Sequence, residues 1–297
     1  MRLLQILVLM MSFSLLSLAN QNIERPFLWE VKKGNQHFYL FGTMHLADPK
    51  LQILPKALKE VIDRSDIVRT EIPMDASTQL KATSMMIRTD GKKLKDILPS
   101  KLYARTGSYL NSINPELNLV PFESMKVWVV STIVTTLENQ LKYPDMRPID
   151  TVIYHYAKSQ KKDVGGVETI EEQLSVMDSF TLKEQILGLE SSLDYLDTGV
   201  NFTAKMKELY MRGDSKDMMS FIESMMFQMP KYKKMEEKFM KLLLYDRNVK
   251  MAKKIEKLVT TNSKKQSVFA FGVMHFLGEK SVIEILEHHG YIVKRVN

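Results

Sequence analysis

The chain has 297 residues, 44% of them hydrophobic and 26% charged, which excludes intrinsic disorder, collagen-like sequence and a disulfide-stapled mini-protein. At this length roughly three quarters of the unfolded surface is buried on folding, enough for a full core. The absence of Cys removes cysteine nucleophiles and thiolate metal ligands. The net charge of +7 is concentrated in Lys231 to Lys265, where twelve Lys or Arg face four acids. There Met235, Phe239, Leu242, Leu243 and Met251 recur at helical spacing. This is an amphipathic helix with a solvated basic face, without the interleaved aromatics of a nucleic-acid surface, and no nucleic-acid partner is expected.

Residues 1–19 read as a secretory signal peptide. Arg2 gives a short basic start, Leu3 to Leu16 is apolar except for Gln5, Ser12 and Ser14, and Ser17-Leu18-Ala19 supplies small residues before a cleavage site. The run is shorter than the roughly 20 apolar residues of a membrane helix. Cleavage near Ala19 leaves residues 20–297 as an exported protein, periplasmic or secreted, with no stable transmembrane anchor.

Two β-rich runs, Phe27 to Lys32 and Gln36 to Phe41, flank Lys33-Gly34-Asn35 as a hairpin. Leu54 to Arg64 has helical spacing, with Pro55 suited to a first turn, and Asp66 to Ile72 reads as a strand ended by Pro73. A further strand is expected over Lys162 to Val167, leading into Thr169-Ile-Glu-Glu172, a capping box. From there to about Leu258 the chain reads as mostly helical. It then returns to strand (Ser267 to Phe271), helix (Ser281 to His289) and strand (Tyr291 to Val296). The expected fold is therefore α/β: one domain over residues 20–297, with a central mixed sheet built from both ends and a largely helical insertion at about 170–260.

One short repeat stands out. Phe41-Gly-Thr-Met-His45 and Phe271-Gly-Val-Met-His275 agree at four of five positions, and each follows an apolar strand. In parallel or mixed α/β sheets, ligands sit beyond the carboxyl ends of strands, so both imidazoles are expected at one rim. Glu71 and Glu168 end two other strands. Two His and two Glu form a nitrogen and oxygen donor set suited to Mn, Co, Zn or Fe with positions left open for substrate, and either His is also a candidate general base. The bland readings are a turn histidine, a surface-paired Glu71, and a Glu168 that favours the positive end of the next helix. The repeat weighs against them, because packing alone does not ask for His twice in one frame. His37, His155, His288 and His289 lack such spacing and read as structural. His-Glu-x-x-His, Gly-x-Ser-x-Gly, Walker and Gly-x-Gly-x-x-Gly motifs are absent from the sequence. Ten of the 21 Met lie between Met206 and Met251, mostly at core spacing; Met218, Met219, Met225 and Met226 are also candidates for an adaptable apolar groove.

The ordered set of motifs resembles the TraB/GumN family, which includes PrgY-like and Tiki proteins. Phe41-Gly-Thr-Met-His45 resembles its first Gly-x-x-His motif, Thr70-Glu71 its strand-end glutamate, and Asp150 to Gln173, with Gly166-Val-Glu-Thr169 and Glu172-Gln173, its Gly-Leu-Glu-Thr segment. Asp246-Arg-Asn-Val-Lys-Met-Ala252 is similar to its Arg-Asn helix, and Gly272-Val-Met-His275 with Gly278 and Gly290-Tyr-Ile-Val293 to its closing segment. The chain departs at Val167, where Leu is usual, and at Val273 and Met274, where smaller residues are common. The resemblance implies a fold related to erythromycin esterase and ChaN-like proteins and, through Tiki, a metal-dependent protease acting on secreted proteins. It also implies Arg247 as a fixed cation at the site.

The expected function is thus an exported metal-dependent hydrolase acting on peptide or protein substrates. His45, Glu71 and His275 hold a divalent metal, Glu168 serves as a fourth ligand or general base, and Arg247 steadies negative charge. The alternatives are a non-catalytic peptide- or haem-binding protein, and a metal-free esterase-like hydrolase on the same fold.

Overall fold

A computed structural model describes residues 23–296; the expected signal peptide lies outside the described residues. Among the described residues no helix is long and apolar enough to cross a membrane. Six strands form one mixed sheet: β1 (Leu28–Lys33), β2 (Gln36–Thr43), β3 (Ile67–Thr70), β4 (Asp163–Gly166), β5 (Ser267–Gly272) and β6 (Ile292–Arg295). Their spatial order is β4-β3-β5-β2-β1-β6.

The hairpin of β1 and β2 turns at Gly34, whose φ of 55° is open to glycine without strain. β6 pairs antiparallel with β1, while β2, β5, β3 and β4 run parallel to one another. β2 and β5 are central, and their near-continuous apolar runs, Phe38 to Phe41 and Val268 to Phe271, are buried. Both ends of the chain thus supply strands to one sheet, as the sequence predicts. The four parallel strands end within two residues of one another, with Thr43 opposite Gly272, Ala270 opposite Thr70, and Thr70 opposite Gly166. One end of the sheet therefore gathers four carboxyl-terminal strand ends.

Helices fill the connections on both sides of β4. Residues 76–159 lie between β3 and β4, and residues 170–261 between β4 and β5. The first of these stretches extends the helical part of the chain well beyond the expected 170–260. Its helix Ala76–Met86 buries Thr78 alone, so it lacks the apolar stripe by which a helix announces itself in sequence. The helix Ile170–Asp178 begins at the expected capping box, with Thr169 and Glu172 bonding each other's backbone N–H. The helix Asp246–Thr261 lays Met251, Ala252, Ile255 and Val259 into the main core. Full burial of each large apolar side chain contributes roughly 1.5–3 kcal/mol. A second cluster, including Leu94, Leu110, Val130, Leu189 and Leu193, is built within the helical part.

Candidate functional site

Each of the four parallel strands hands over to a chemically active side chain within three residues. His45 follows β2, Glu71 follows β3, Glu168 follows β4, and His275 follows β5. Arg247 enters from the first turn of the helix Asp246–Thr261, just after a wide π-helical turn over Lys241–Tyr245. The structure brings all five expected site residues together.

Arg247 lies buried between the two carboxylates. Its Nε donates to Glu168 Oε2 at 3.0 Å, and Nη2 donates to the same oxygen at 2.5 Å and also to Glu71 Oε1. Nη1 donates to the Leu243 carbonyl at 3.2 Å. Gln173 Nε2 donates to Glu71 Oε1 at 2.5 Å, and the Gly272 N–H to Glu71 Oε2 at 3.2 Å. Burial pushes the Glu71 carboxyl up, but His45, His275 and Arg247 outweigh it and hold Glu71 well below the usual carboxylate range. In Glu168 burial prevails over Arg247, and its carboxyl is raised. Two acids sharing one cation are thereby pushed apart, the arrangement that separates a permanent anion from a proton acceptor.

The imidazoles are held by their Nδ1 atoms. Nδ1 of His45 lies 2.8 Å from Asp150 Oδ2, and the other Asp150 oxygen accepts from the Thr43 hydroxyl at 2.5 Å. Nδ1 of His275 lies 2.6 Å from Asn248 Oδ1, whose orientation is set by its amide donating to the Lys280 carbonyl. With an oxygen acceptor on each Nδ1, the Nε2 atoms are left for chemistry, and that of His45 sits 3.3 Å from Glu71 Oε2. Desolvation lowers His45, but Asp150 and Glu71 outweigh it, so its pKa is raised well above the ordinary value. The side chain is 52% exposed, so solvent moderates both effects. His275 is almost wholly buried, and desolvation depresses it to about 4 despite Glu71.

The glycines of the repeat serve close approach. A Cβ on Gly272 would lie 3.1 Å from His45 Nε2 and 3.5 Å from both Glu71 Oε2 and His275 Cδ2. One on Gly42 would lie 2.8 Å from Val273 Cγ2 and 3.0 Å from Phe27 Cβ.

Among the described residues no group of three or more His, Asp and Glu is placed to hold a metal ion together. The donor chemistry nonetheless suits one. His45 Nε2 and Glu71 Oε2 converge beside Gly272 with the His275 ring, and each imidazole has the Nδ1 partner typical of a metal ligand. Glu168 differs, because Arg247 engages its carboxylate from two nitrogens.

Asp150, Asn248, Gln173 and Thr43 fall within the sequence motifs, but sequence reasoning assigns none of them a role at the site. Asp150 lies in the first turn of the helix Ile149–Ser159, where an acid is already explained by the helix dipole. Asn248 adjoins Arg247, and Gln173 lies in the capping segment; their neighbours were the available signal. His37 pairs with Glu30 and His289 with Glu256, away from the site, as structural residues do. The four Met of the expected groove divide. Met218 is fully buried in the main core and Met219 packs against it, while Met225 and Met226 line a cleft of about 830 Å³ in the helical part.

Comparison with known proteins is consistent with this layout. The TraB/PrgY/gumN family profile matches residues 27–295. Metalloprotease TIKI1 of Danio rerio is 25% identical over 309 residues, covering 90% of this chain and 62% of that protein. Metalloprotease TIKI2 of Danio rerio is 24% identical, covering 93% and 62%. The Metalloprotease TIKI homolog of Nematostella vectensis is 23% identical, covering 91% and 67%. The chain spans about three fifths of the length of the TIKI1 and TIKI2 proteins it matches. No solved structure matches it.

Proposed function

The chain belongs to the TraB/PrgY/gumN family, and on that footing we propose that it is an exported metal-dependent hydrolase cleaving peptide bonds, on a fold related to erythromycin esterase and ChaN-like proteins. The observation that carries the reading is the pair of Gly-x-x-His imidazoles, each held at Nδ1 and leaving Nε2 beside Glu71. The names of the relatives, metalloproteases of the TIKI type, support the same chemistry.

In this reading His45, His275 and Glu71 hold a divalent Mn, Co, Zn or Fe. When bound, the ion supplies Lewis acidity toward the scissile carbonyl and the attacking water. Glu168 has the raised carboxyl that suits a proton acceptor, and its engagement with Arg247 favours a base over a fourth ligand. Arg247 favours the ionised form of both glutamates and orients both. One of its Nη1 hydrogens remains for negative charge developing on substrate. Asp150 and Asn248 fix the imidazole rings.

Screening a peptide library with and without chelator tests this. Cleavage that chelator stops, divalent metal restores and Glu168→Gln lowers by about 10²–10⁴-fold is expected of a general base. A second reading is favoured by the Asp150–His45 pair, which resembles the base and orienting acid of a metal-free hydrolase. Its sign is cleavage that persists in chelator and disappears in a folded His45→Ala variant.

A further inference from the structure

Five carboxylates among the described residues are more than nine-tenths buried: Asp48, Glu71, Asp150, Glu168 and Glu236. Four of them have a basic partner within the protein. Asp48 meets Lys207, Glu71 and Glu168 meet Arg247, and Asp150 meets His45. Glu236 has hydrogen bonds alone. Its Oε1 accepts from the Tyr195 hydroxyl at 3.1 Å, its Oε2 accepts from the Phe227 N–H at 2.9 Å, and no cation lies within ion-pair distance among the described residues. A buried charge without a counter-ion is costly, and each of these oxygens retains acceptor capacity beyond its one partner.

Glu236 lines the cleft of about 830 Å³ between the helices Val127–Lys142, Leu182–Asp197 and Lys233–Met240. Trp128, Phe239, Met226 and Met240 give that cleft apolar walls. Its lining reaches Leu46, the residue next to His45. The size suits several residues of a peptide, and methionine walls adapt to differing side chains.

Resting on the peptidase reading of the adjoining site, we propose that this cleft is a substrate-recognition groove for an apolar peptide segment carrying one basic side chain, whose ammonium or guanidinium group meets Glu236. The apolar walls supply contact area, and the missing counter-ion supplies selectivity. A neutral peptide leaves Glu236 without a cation, and an acidic one adds repulsion.

The test measures binding, separately from cleavage. Labelled peptides of one apolar sequence, with a single position Lys, norleucine or Glu, are titrated into the protein and into its uncleaving His45→Ala variant. Lys should bind about 10- to 100-fold more tightly than norleucine, the range of a buried charge-assisted hydrogen bond, with Glu weakest. In Glu236→Gln, which keeps an oxygen acceptor, that preference should collapse while norleucine affinity is retained. Equal binding of Lys and norleucine peptides by the unmutated protein overturns the proposal, whatever the variant's stability. A Lys preference in a protein that cleaves no peptide leaves the groove standing and removes the peptidase. Cleavage without the preference does the reverse.

Discussion

Asp150 shows what a single side chain contributes to the site. It is buried, holds His45 by Nδ1, and is itself held by the Thr43 hydroxyl. Asp150→Asn keeps the shape but weakens the hold on His45, so metal affinity or turnover should fall about 10- to 100-fold, as for other outer-shell partners of ligating histidines. Metal titration of a folded variant checks this, and unchanged affinity and turnover would remove Asp150 from the machinery. His275 gives a pH dependence. Its folded pKa of about 4 lies below that of a free imidazole, so the fold favours the neutral ring. Its contribution is fully present above about pH 6.5 and is lost as pH falls toward 4, by up to roughly 3 kcal/mol. Urea midpoints from pH 7 to 4 should therefore decline less steeply in His275→Gln than in the unmutated protein. Parallel declines would show that His275 titrates normally.

Among elements, the two copies of the repeat end neighbouring parallel strands but use their glycines differently. At Gly42 the space for a side chain is taken by Val273 and Phe27, so Gly42→Ala should cost about 1–3 kcal/mol of stability through overpacking. At Gly272 the space is taken by His45 Nε2, Glu71 and His275, so Gly272→Ala should displace site groups and depress metal binding more than melting temperature. Melting curves beside metal titrations separate the two, and identical behaviour would contradict the assignment. The strands and the repeat were legible in sequence because buried parallel strands read as apolar runs and the histidines follow in the same frame. The role of Asp150, which opens a family-like segment, was not, since its partner lies 105 residues away and its own helix already accounts for an acid. Arg247 came through family resemblance alone; within its helix nothing sets it apart from the many other bases of Lys231 to Lys265.

The whole molecule is organised as a sheet that presents the site and a helical part that supplies the cleft. The second apolar cluster lies in that helical part, yet its helix Leu182–Asp197 also borders the cleft that reaches Leu46, beside β2. We expect the two parts to unfold together as one domain. Leu110→Ala, at a fully buried position of this cluster, should cost about 2–5 kcal/mol and shift a single calorimetric transition while leaving metal affinity unchanged. Two separate transitions would divide the chain into independent units. With no Cys to bridge the parts, such coupling rests on packing and on contacts such as Lys207 with Asp48 and the Tyr210 hydroxyl with the Gly42 carbonyl.

In the proposed site His45 and His275 hold one metal. The most direct test is the divalent metal content of purified protein, supplied with Mn, Co, Zn and Fe in turn, beside folded His45→Ala and His275→Ala. About one tightly bound ion is expected in the unmutated protein and none in either variant, as removing one of three protein ligands implies. An equal metal content in all three proteins, or no metal in any, would contradict the proposed site.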